Sequence, residues 1–364
     1  MGRIVIDARE SGSSTGRYID KLVANLHELR PRHTIVLLAK KRRVEFYKKL
    51  APRFEVQTTR FKEFTFGEQL GLLKQIRAQK PNLVFFPAAH QPILYRGKVV
   101  TTIQDLTTAR FRNPAKNWLA FTIKRWVYKF VVRRVARKSS RLITPSEFVK
   151  EDIARFARIN SRKITVTHEA ADPITEQPVA IPELENKEYI MYVGRPQAHK
   201  NLDRLIDAFA VLRQTHPNLR LVLAGKKDAL YKKHARYAQA KGIKNIIFTG
   251  FVSEGELRWL YEHTRAYVFP SLSEGFGLPG LEAMAHGAPV VSSNATCLPE
   301  VYQDAAVYFD PHSTDDMAKK IETMLTDSKT RTQCIQRGRK LAASYSWKAM
   351  AQQTLAVFDE VLSR

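Results

Sequence analysis

Short apolar runs alternate along this chain with longer stretches in which apolar residues recur every three or four positions. The runs R-I-V-I-D-A-R (from Arg3), T-I-V-L-L-A, N-L-V-F-F-P, K-V-V-T-T-I and R-L-I-T-P-S predict strands. Between them, R-Y-I-D-K-L-V-A-N-L-H-E-L (from Arg17), E-F-Y-K-K-L, a long region over roughly 115–138 and E-F-V-K-E-D-I-A-R-F carry helical periodicity. Short apolar runs alternating with helical periodicity are the pattern of a parallel α/β sheet. Residues 169–188 break the pattern with three prolines and little periodicity, and read as a linker. The alternation then restarts. Y-I-M-Y-V-G, L-R-L-V-L-A-G, N-I-I-F-T-G, A-Y-V-F-P-S and A-P-V-V-S-S predict strands; N-L-D-R-L-I-D-A-F-A-V-L and Y-K-K-H-A-R-Y-A-Q-A-K predict helices, as does the stretch from Ser344 to Arg364. Two doubly wound domains result, divided as 1–170 and 171–343, with 344–364 a final helix. Ligands of such sheets bind beyond the C-terminal ends of the strands, so a cleft between the domains is the expected site.

Charge sharpens the division. Of a net +25, residues 1–168 carry 36 Lys and Arg against 12 Asp and Glu, while residues 169–364 carry 24 against 23. The basic half is expected to meet something anionic: nucleic acid, a membrane surface or an acidic ligand. Cys297 and Cys334 alone build neither a disulfide framework nor a metal cluster, and read as reduced thiols. The N-terminus lacks the apolar core of a signal peptide, and no apolar run is long enough to cross a membrane.

The richest stretch is F-P-S-L-S-E-G-F-G-L-P-G-L-E-A-M-A-H-G-A-P-V-V. Its pattern is strand, glycine loop, then a helix beginning near Pro279 and ending at Gly287. Proline suits a first helical turn. The helix N-terminus offers backbone N–H groups and a positive dipole end to an anion, and Gly275 and Gly277 allow close approach of a ligand. Glu274 in the loop and Glu282, expected on the first helical turn, can face one pocket. Carboxylates accept hydrogen bonds from vicinal hydroxyls. Phosphate flanked by two sugars, a nucleotide sugar, satisfies all of these groups. Taken singly, each glutamate is a solvated loop residue or a helix-start carboxylate favoured by the dipole.

This E-x7-E arrangement resembles the family-4 retaining glycosyltransferases of the GT-B fold, in their mannosyltransferase-like branch. V-G-R-P-Q-A-H-K-N, from Val193, is similar to the family's diphosphate clamp, with Arg195 and Lys200. G-F-V-S-E-G-E-L, from Gly250, is similar to the segment that passes the nucleotide base, with Phe251 and Val252. The resemblance implies two Rossmann-like domains facing a cleft, acceptor on the first and donor on the second, with a helix from Trp347 crossing back to the first. It implies donor contacts from Gly12, Gly16, Glu274, Gly275, Phe276, Gly277, Leu278 and Glu282. It also implies transfer without a metal, with no cofactor beyond the nucleotide-sugar substrate. Arg195 and Lys200 then stabilise charge developing on the leaving phosphate.

In the first half, a plain turn accounts for Gly12 and Gly16 as well. T-T-I-Q-D-L places Gln104 and Asp105 where close relatives usually carry His-Asp. Glutamine positions a hydroxyl but takes no proton at neutral pH, a smaller loss where the leaving diphosphate receives the acceptor's proton. His90 reads as a loop histidine with no role, the alternative being that it enters the cleft. Ser146 and Glu147 resemble the family's Ser-Glu pair, and a helix N-cap explains the serine equally well.

Between Asp105 and Glu147 there is no acidic residue and there are eleven Lys and Arg. Leu119, Ile123, Val127 and Val131 repeat every fourth residue; Arg125, Lys129, Arg133 and Arg137 do so on another face, joined by Lys124 and Arg134. Trp118 and Trp126 sit between. The expectation is an amphipathic helix with its apolar stripe packed inside and its cations facing an anionic membrane, K-K-R-R at 40–43 adding to the field. The function expected is hexose transfer, first from GDP-mannose, to a lipid-linked saccharide or glycolipid at the cytoplasmic membrane face. Its rivals are a UDP-sugar donor, a soluble acceptor, nonspecific nucleic-acid binding, and a silent sugar-nucleotide-binding homologue.

Overall fold

The computed structural model describes residues 1–13, 16–111 and 118–364, the side chains of 118–121 excepted. Contacts divide the chain into two compact units. The first contains Met1–Ala109, the long basic helix through Glu169, and Ser346–Arg364; the second contains Ala170–Tyr345.

The first unit is built on seven strands: β1 (Arg3–Asp7), β2 (Thr34–Lys40), β3 (Glu55–Thr59), β4 (Leu83–Phe86), β5 (Val99–Thr102), β6 (Arg141–Thr144) and β7 (Ile164–Val166). Their order is β3-β2-β1-β4-β5-β6-β7, all parallel. The second unit has six: β8 (Tyr189–Val193), β9 (Arg220–Ala224), β10 (Ile246–Gly250), β11 (Ala266–Phe269), β12 (Val290–Ser293) and β13 (Ala306–Phe309). Their order is β10-β9-β8-β11-β12-β13, again all parallel. Central strands such as β4 and β11 are buried along their whole length, which is why they read as unbroken apolar runs. In each sheet the winding direction reverses once, between β1 and β4 and between β8 and β11. Beside each reversal, the loops leaving the strand ends part and open a crevice.

The last helix, Trp347–Ser363, belongs to the first unit. It packs against the helix Gly16–Leu29 and over β4 and β6. Phe358 meets Phe85 with ring centroids 5.1 Å apart, His33 Nε2 lies 2.7 Å from Asp359, and Glu360 pairs with Arg141.

The basic helix, Trp118–Lys138, corrects one expectation. Its buried face is Val132, Val135 and Ala136, with Tyr128 packed on the same core. Of the stripe expected inside, Val131 is half-buried, and Ile123 is 57 % and Val127 45 % exposed. Trp126, at 70 %, and Phe130 join them at the surface. At 3.6 residues per turn, one position turns the helix by about 100°. The stripe 123, 127, 131 sits one position away from the face the core selects, which follows 128, 132, 135 and 136. Trp118 and Leu119 lie outside the described side chains. The K-K-R-R run is also only half free: Lys40 pairs with Glu63 at 2.7 Å, and Arg43 pairs with Asp20 at 3.1 Å while stacking on Phe46.

Candidate functional site

In the second unit the side chains of interest emerge beside the reversal of the sheet. After β8 the chain turns at Gly194, passes Arg195, and makes a short 3-10 turn, Ala198–Lys200. Asn201, in the left-handed region at φ 59°, then starts the helix Leu202–Leu212, its carboxamide donating to the carbonyls of Pro270 and Pro311. After β11 comes the loop carrying Glu274. Its backbone N–H donates to Thr296 Oγ1 at 3.1 Å, so the loop is tied to the segment after β12. Across the crevice, Lys200 Nζ donates to Glu274 Oε1 at 2.5 Å. Both side chains are largely buried, 16 % and 13 % exposed. A buried pair holds one charge against the other and binds no net anion until one partner is replaced. His199 beside them is pushed down to about 4, by burial first and then by the Lys200 charge, so it stands neutral at pH 7.

Gly277, at φ +95°, caps the helix Leu278–Ala285. A Cβ there would lie 2.6 Å from the Tyr302 hydroxyl and 2.7 Å from Leu298, so conformation and space both require glycine. Pro279 falls in the first turn as expected. Glu282 does not: the helix starts at Leu278, which puts Glu282 in the second turn. There it is half-buried, its charge felt by Tyr267 and His286. The dipole no longer accounts for its presence. Phe276 is buried against Tyr345 rather than displayed to a ligand, and Gly275 is buried with it.

A cavity of about 470 Å³ lies over the ends of β8, β9 and β10. Arg195, Phe251 and Val252 line it, together with Lys226, Asp228 and Glu254, which the sequence did not single out. Arg195 is 67 % exposed, its Nε 3.7 Å from Asp228. Phe251 is 87 % exposed, an aromatic face presented to whatever enters. Tyr192 was also missed. Its hydroxyl is buried without a hydrogen-bond partner among the described residues and feels the Glu274 charge.

The first sheet repeats this arrangement at its own reversal. Glu10, after β1, meets His90, after β4, with Nε2 and Oε1 3.2 Å apart. His90 is thus a paired residue at a strand end rather than an idle loop histidine. Beneath the pair, Arg9 is fully buried between Asp7 at 2.7 Å and Glu68 at 2.8 Å. Glu68 in turn accepts from the backbone N–H of Phe64, holding that residue at φ 58° with its ring 5.3 Å from His90. Gly16 opens the helix after β1, and a Cβ there would lie 2.2 Å from the Glu10 carbonyl oxygen. Gly12 is covered by the Arg43 side chain. Ser146 caps the helix Glu147–Ala157, accepting from the Val149 N–H, and Glu147 pairs outward with Lys150.

Asp105 accepts from the Thr107 N–H at 2.7 Å. Gln104 hydrogen-bonds a residue the sequence did not single out, Glu169. Burial pushes the Glu169 carboxyl up to about 7, against the bond from Gln104 and the charge of Arg17, which pull it down. An acid whose folded pKa is raised is best tolerated below its unfolded value and destabilises the fold as pH climbs through the folded one. Thermal unfolding midpoints should therefore drop between about pH 5 and pH 8, and Glu169→Gln should flatten that slope. A slope unchanged in the variant would show that another group titrates.

Comparison with known proteins follows the same two-part division. Residues 173–341 match Glycosyl transferases group 1, and residues 15–173 match Glycosyltransferase Family 4. The chain is 33% identical over 230 residues to O-antigen chain mannosyltransferase B of Escherichia coli, covering 60% of each chain. It is 35% identical over 182 residues to the serotype-specific mannosyltransferase WbdA of Escherichia coli, matching 48% of this chain and 22% of that protein. The matches thus span 60% and 22% of these relatives' own lengths. Among solved structures, sucrose-phosphate synthase of Thermosynechococcus elongatus superposes with TM-score 0.78 at 17% identity over the whole of both chains. Anabaena HepE, solved in complex with UDP and glucose, superposes with TM-score 0.75 at 17% identity, covering 99% of this chain and 100% of that one. The fold is GT-B.

Proposed function

The chain belongs to the glycosyltransferases that join a Family 4 first half to a group 1 second half, and from that membership we propose a metal-independent, retaining hexosyltransferase using a nucleotide-sugar donor. The sugar is mannose from GDP-mannose, in keeping with the mannosyltransferase names of its relatives. The acceptor is a lipid-linked saccharide or glycolipid at the cytoplasmic membrane face.

The Lys200–Glu274 pair at the reversal of the second sheet carries this reading. An arriving diphosphate takes Glu274's place beside Lys200 and draws in the exposed Arg195. Glu274, released, accepts hydrogen bonds from hydroxyls of the hexose. The bond from the anomeric carbon to the diphosphate oxygen breaks, and the acceptor oxygen bonds to that carbon on the same face. The acceptor's proton passes to the departing phosphate oxygen. Lys200 and Arg195 stabilise the negative charge that grows on that phosphate, which is where preorganised cations act most strongly. The base lies in the cavity beside Phe251, and Glu282 holds ribose hydroxyls. In the first unit, Gln104 and the Glu10–His90 pair position the acceptor. Among the described residues no helix is long and apolar enough to cross a membrane, so contact with lipid falls to the exposed side of the helix Trp118–Lys138: Lys124, Arg125, Lys129, Arg133, Arg134 and Arg137.

Calorimetric titration with GDP-mannose, UDP-glucose and UDP-N-acetylglucosamine tests the donor. GDP-mannose alone is expected to bind. Glu282→Ala is expected to weaken that binding about tenfold, the loss of one or two hydrogen bonds to a charged acceptor. Binding of a UDP-sugar alone would replace the donor assignment, and no binding by any member would remove it.

A further inference from the structure

A pocket of about 510 Å³ in the first unit takes no part in the transfer reading. Three elements wall it: the helix Leu73–Ala78 through Arg77, the β4–β5 connection through Ile93–Gly97, and the basic helix through Arg134 and Lys138. Among the described residues four cations line it, Arg77, Arg96, Arg134 and Lys138, and no carboxylate does. Lys138 is half-buried with its ammonium donating to the Pro92 carbonyl at 2.8 Å. Burial, then the neighbouring Arg134 charge, pushes it down to about 8. Gly97 keeps this wall tight, since a Cβ there would lie 2.3 Å from the Tyr95 hydroxyl. Like charges gathered without a counter-charge repel one another, and a bound anion relieves them.

Arg134 also belongs to an adjoining pocket of about 360 Å³ lined by Trp126, Lys129, Phe130, Arg133 and Arg137. Two of its guanidinium groups are anchored by backbone: Arg133 Nε donates to the Phe156 carbonyl and Arg137 Nε to that of Ala157. Exposed apolar side chains stand among these cations. Leu94, Trp126 and Phe130 are 58 %, 70 % and 50 % exposed, the last two stacked on each other. Cations around a pocket beside exposed apolar side chains match an amphiphile that carries a phosphate.

We propose that this pocket binds the phosphate of a membrane lipid, with Arg77, Arg96, Arg134 and Lys138 around the phosphate and Leu94, Phe130 and Trp126 against the lipid's apolar portion. The inference rests on the membrane-facing reading of the basic helix and deepens it from a field to a site. Arg77 and Arg96 lie outside that helix. A uniformly charged surface needs neither, and a phosphate site needs both. A run of nucleic-acid phosphates calls for cations spread along a track, whereas these four line a single pocket of about 510 Å³.

The test is sedimentation of the full chain with vesicles of digalactosyldiacylglycerol, a neutral lipid without phosphate, doped either with phosphatidylglycerol or with oleate at equal surface charge. The protein is expected to prefer phosphatidylglycerol about tenfold, and the Arg77→Ala, Arg96→Ala double variant to lose that preference. Equal binding to both vesicle types, or an undiminished preference in the double variant, overturns the proposal. Glycerol 3-phosphate binding as tightly as the vesicles would make the ligand a free phosphate and overturn the lipid assignment. A single-stranded oligonucleotide that binds more tightly than the vesicles, and loses this in the double variant, would do the same. Nucleotide-sugar titrations of the same two preparations are expected to agree. Failure of the wild type there strikes the donor reading and leaves the vesicle result standing.

Discussion

Lys200→Ala is expected to lower the turnover of hexosyl transfer about 10²–10³-fold, the scale of removing one preorganised group from developing charge. The effect should fall on kcat more than on donor KM, because the charge Lys200 answers grows as the sugar leaves. Glu274→Ala is expected to abolish measurable transfer, since it removes the hydroxyl acceptor and leaves a largely buried ammonium, 16 % exposed, without its partner. Steady-state kinetics of the two variants, with donor affinity measured separately, decide the matter. Near-normal kcat in Lys200→Ala, or readily measurable transfer by Glu274→Ala, would show that the pair is structural.

Arg9→Leu is expected to destabilise the first unit by about 3–5 kcal/mol, the range for removing one partner of a buried ionic group. Arg9 is 0% exposed and serves two carboxylates at once. Burial pushes the Asp7 carboxyl upward, but the charge and hydrogen bonds of Arg9 outweigh it and hold the pKa below the ordinary value. A depressed folded pKa contributes stability that is present above the unfolded value and lost as pH falls through the folded one. Without Arg9 the sign reverses. Asp7 stays buried beside Glu68 with no arginine between them, burial then raises the Asp7 folded pKa, and the variant regains stability as pH falls from 7 towards the ordinary carboxylate range. Denaturant titrations at neutral and mildly acid pH, following the wild type and the variant together, measure both halves of this expectation. A variant that loses stability on acidification in parallel with the wild type would refute the account of the network.

Central strands were legible because both faces of a parallel strand are covered, so I-V-I, L-V-F-F and Y-V-F admit only apolar residues. The edge strands β3 (E-V-Q-T-T) and β7 (I-T-V) were not, because a strand flanked on one side only tolerates polar positions and falls short of the pattern. Strand β13 (A-V-Y-F) closes the opposite edge of the second sheet and was missed with them. The strand–loop–helix of the donor motif was legible because glycine and proline mark backbone geometry that few other residues adopt. Two of its details were not. One residue's difference in where the helix starts moves Glu282 from the first turn to the second. The partnership of Lys200 with Glu274 joins residues 74 positions apart. Arg9 with Glu68 and Gln104 with Glu169 were hidden for the same reason: an isolated chain shows charges, and only the fold shows which charges meet. The apolar face of the basic helix was misplaced because Ile123, Val127, Val132 and Val135 are equally apolar in sequence, and the neighbouring core alone chooses among them.

The final helix lends the arrangement a temporal consequence. The first unit is encoded in separated instalments, with the whole of Ala170–Tyr345 translated before Trp347–Ser363 appears. At roughly 5–20 residues per second the ribosome needs on the order of 10 s for that interval. Throughout it the nascent first unit holds Phe85, Leu22 and Leu26, buried in the finished protein, in a fold whose closing helix has not been made. The unit begun first is therefore completed last. A stalled or truncated chain would present that uncovered surface to chaperones while its second unit folds undisturbed.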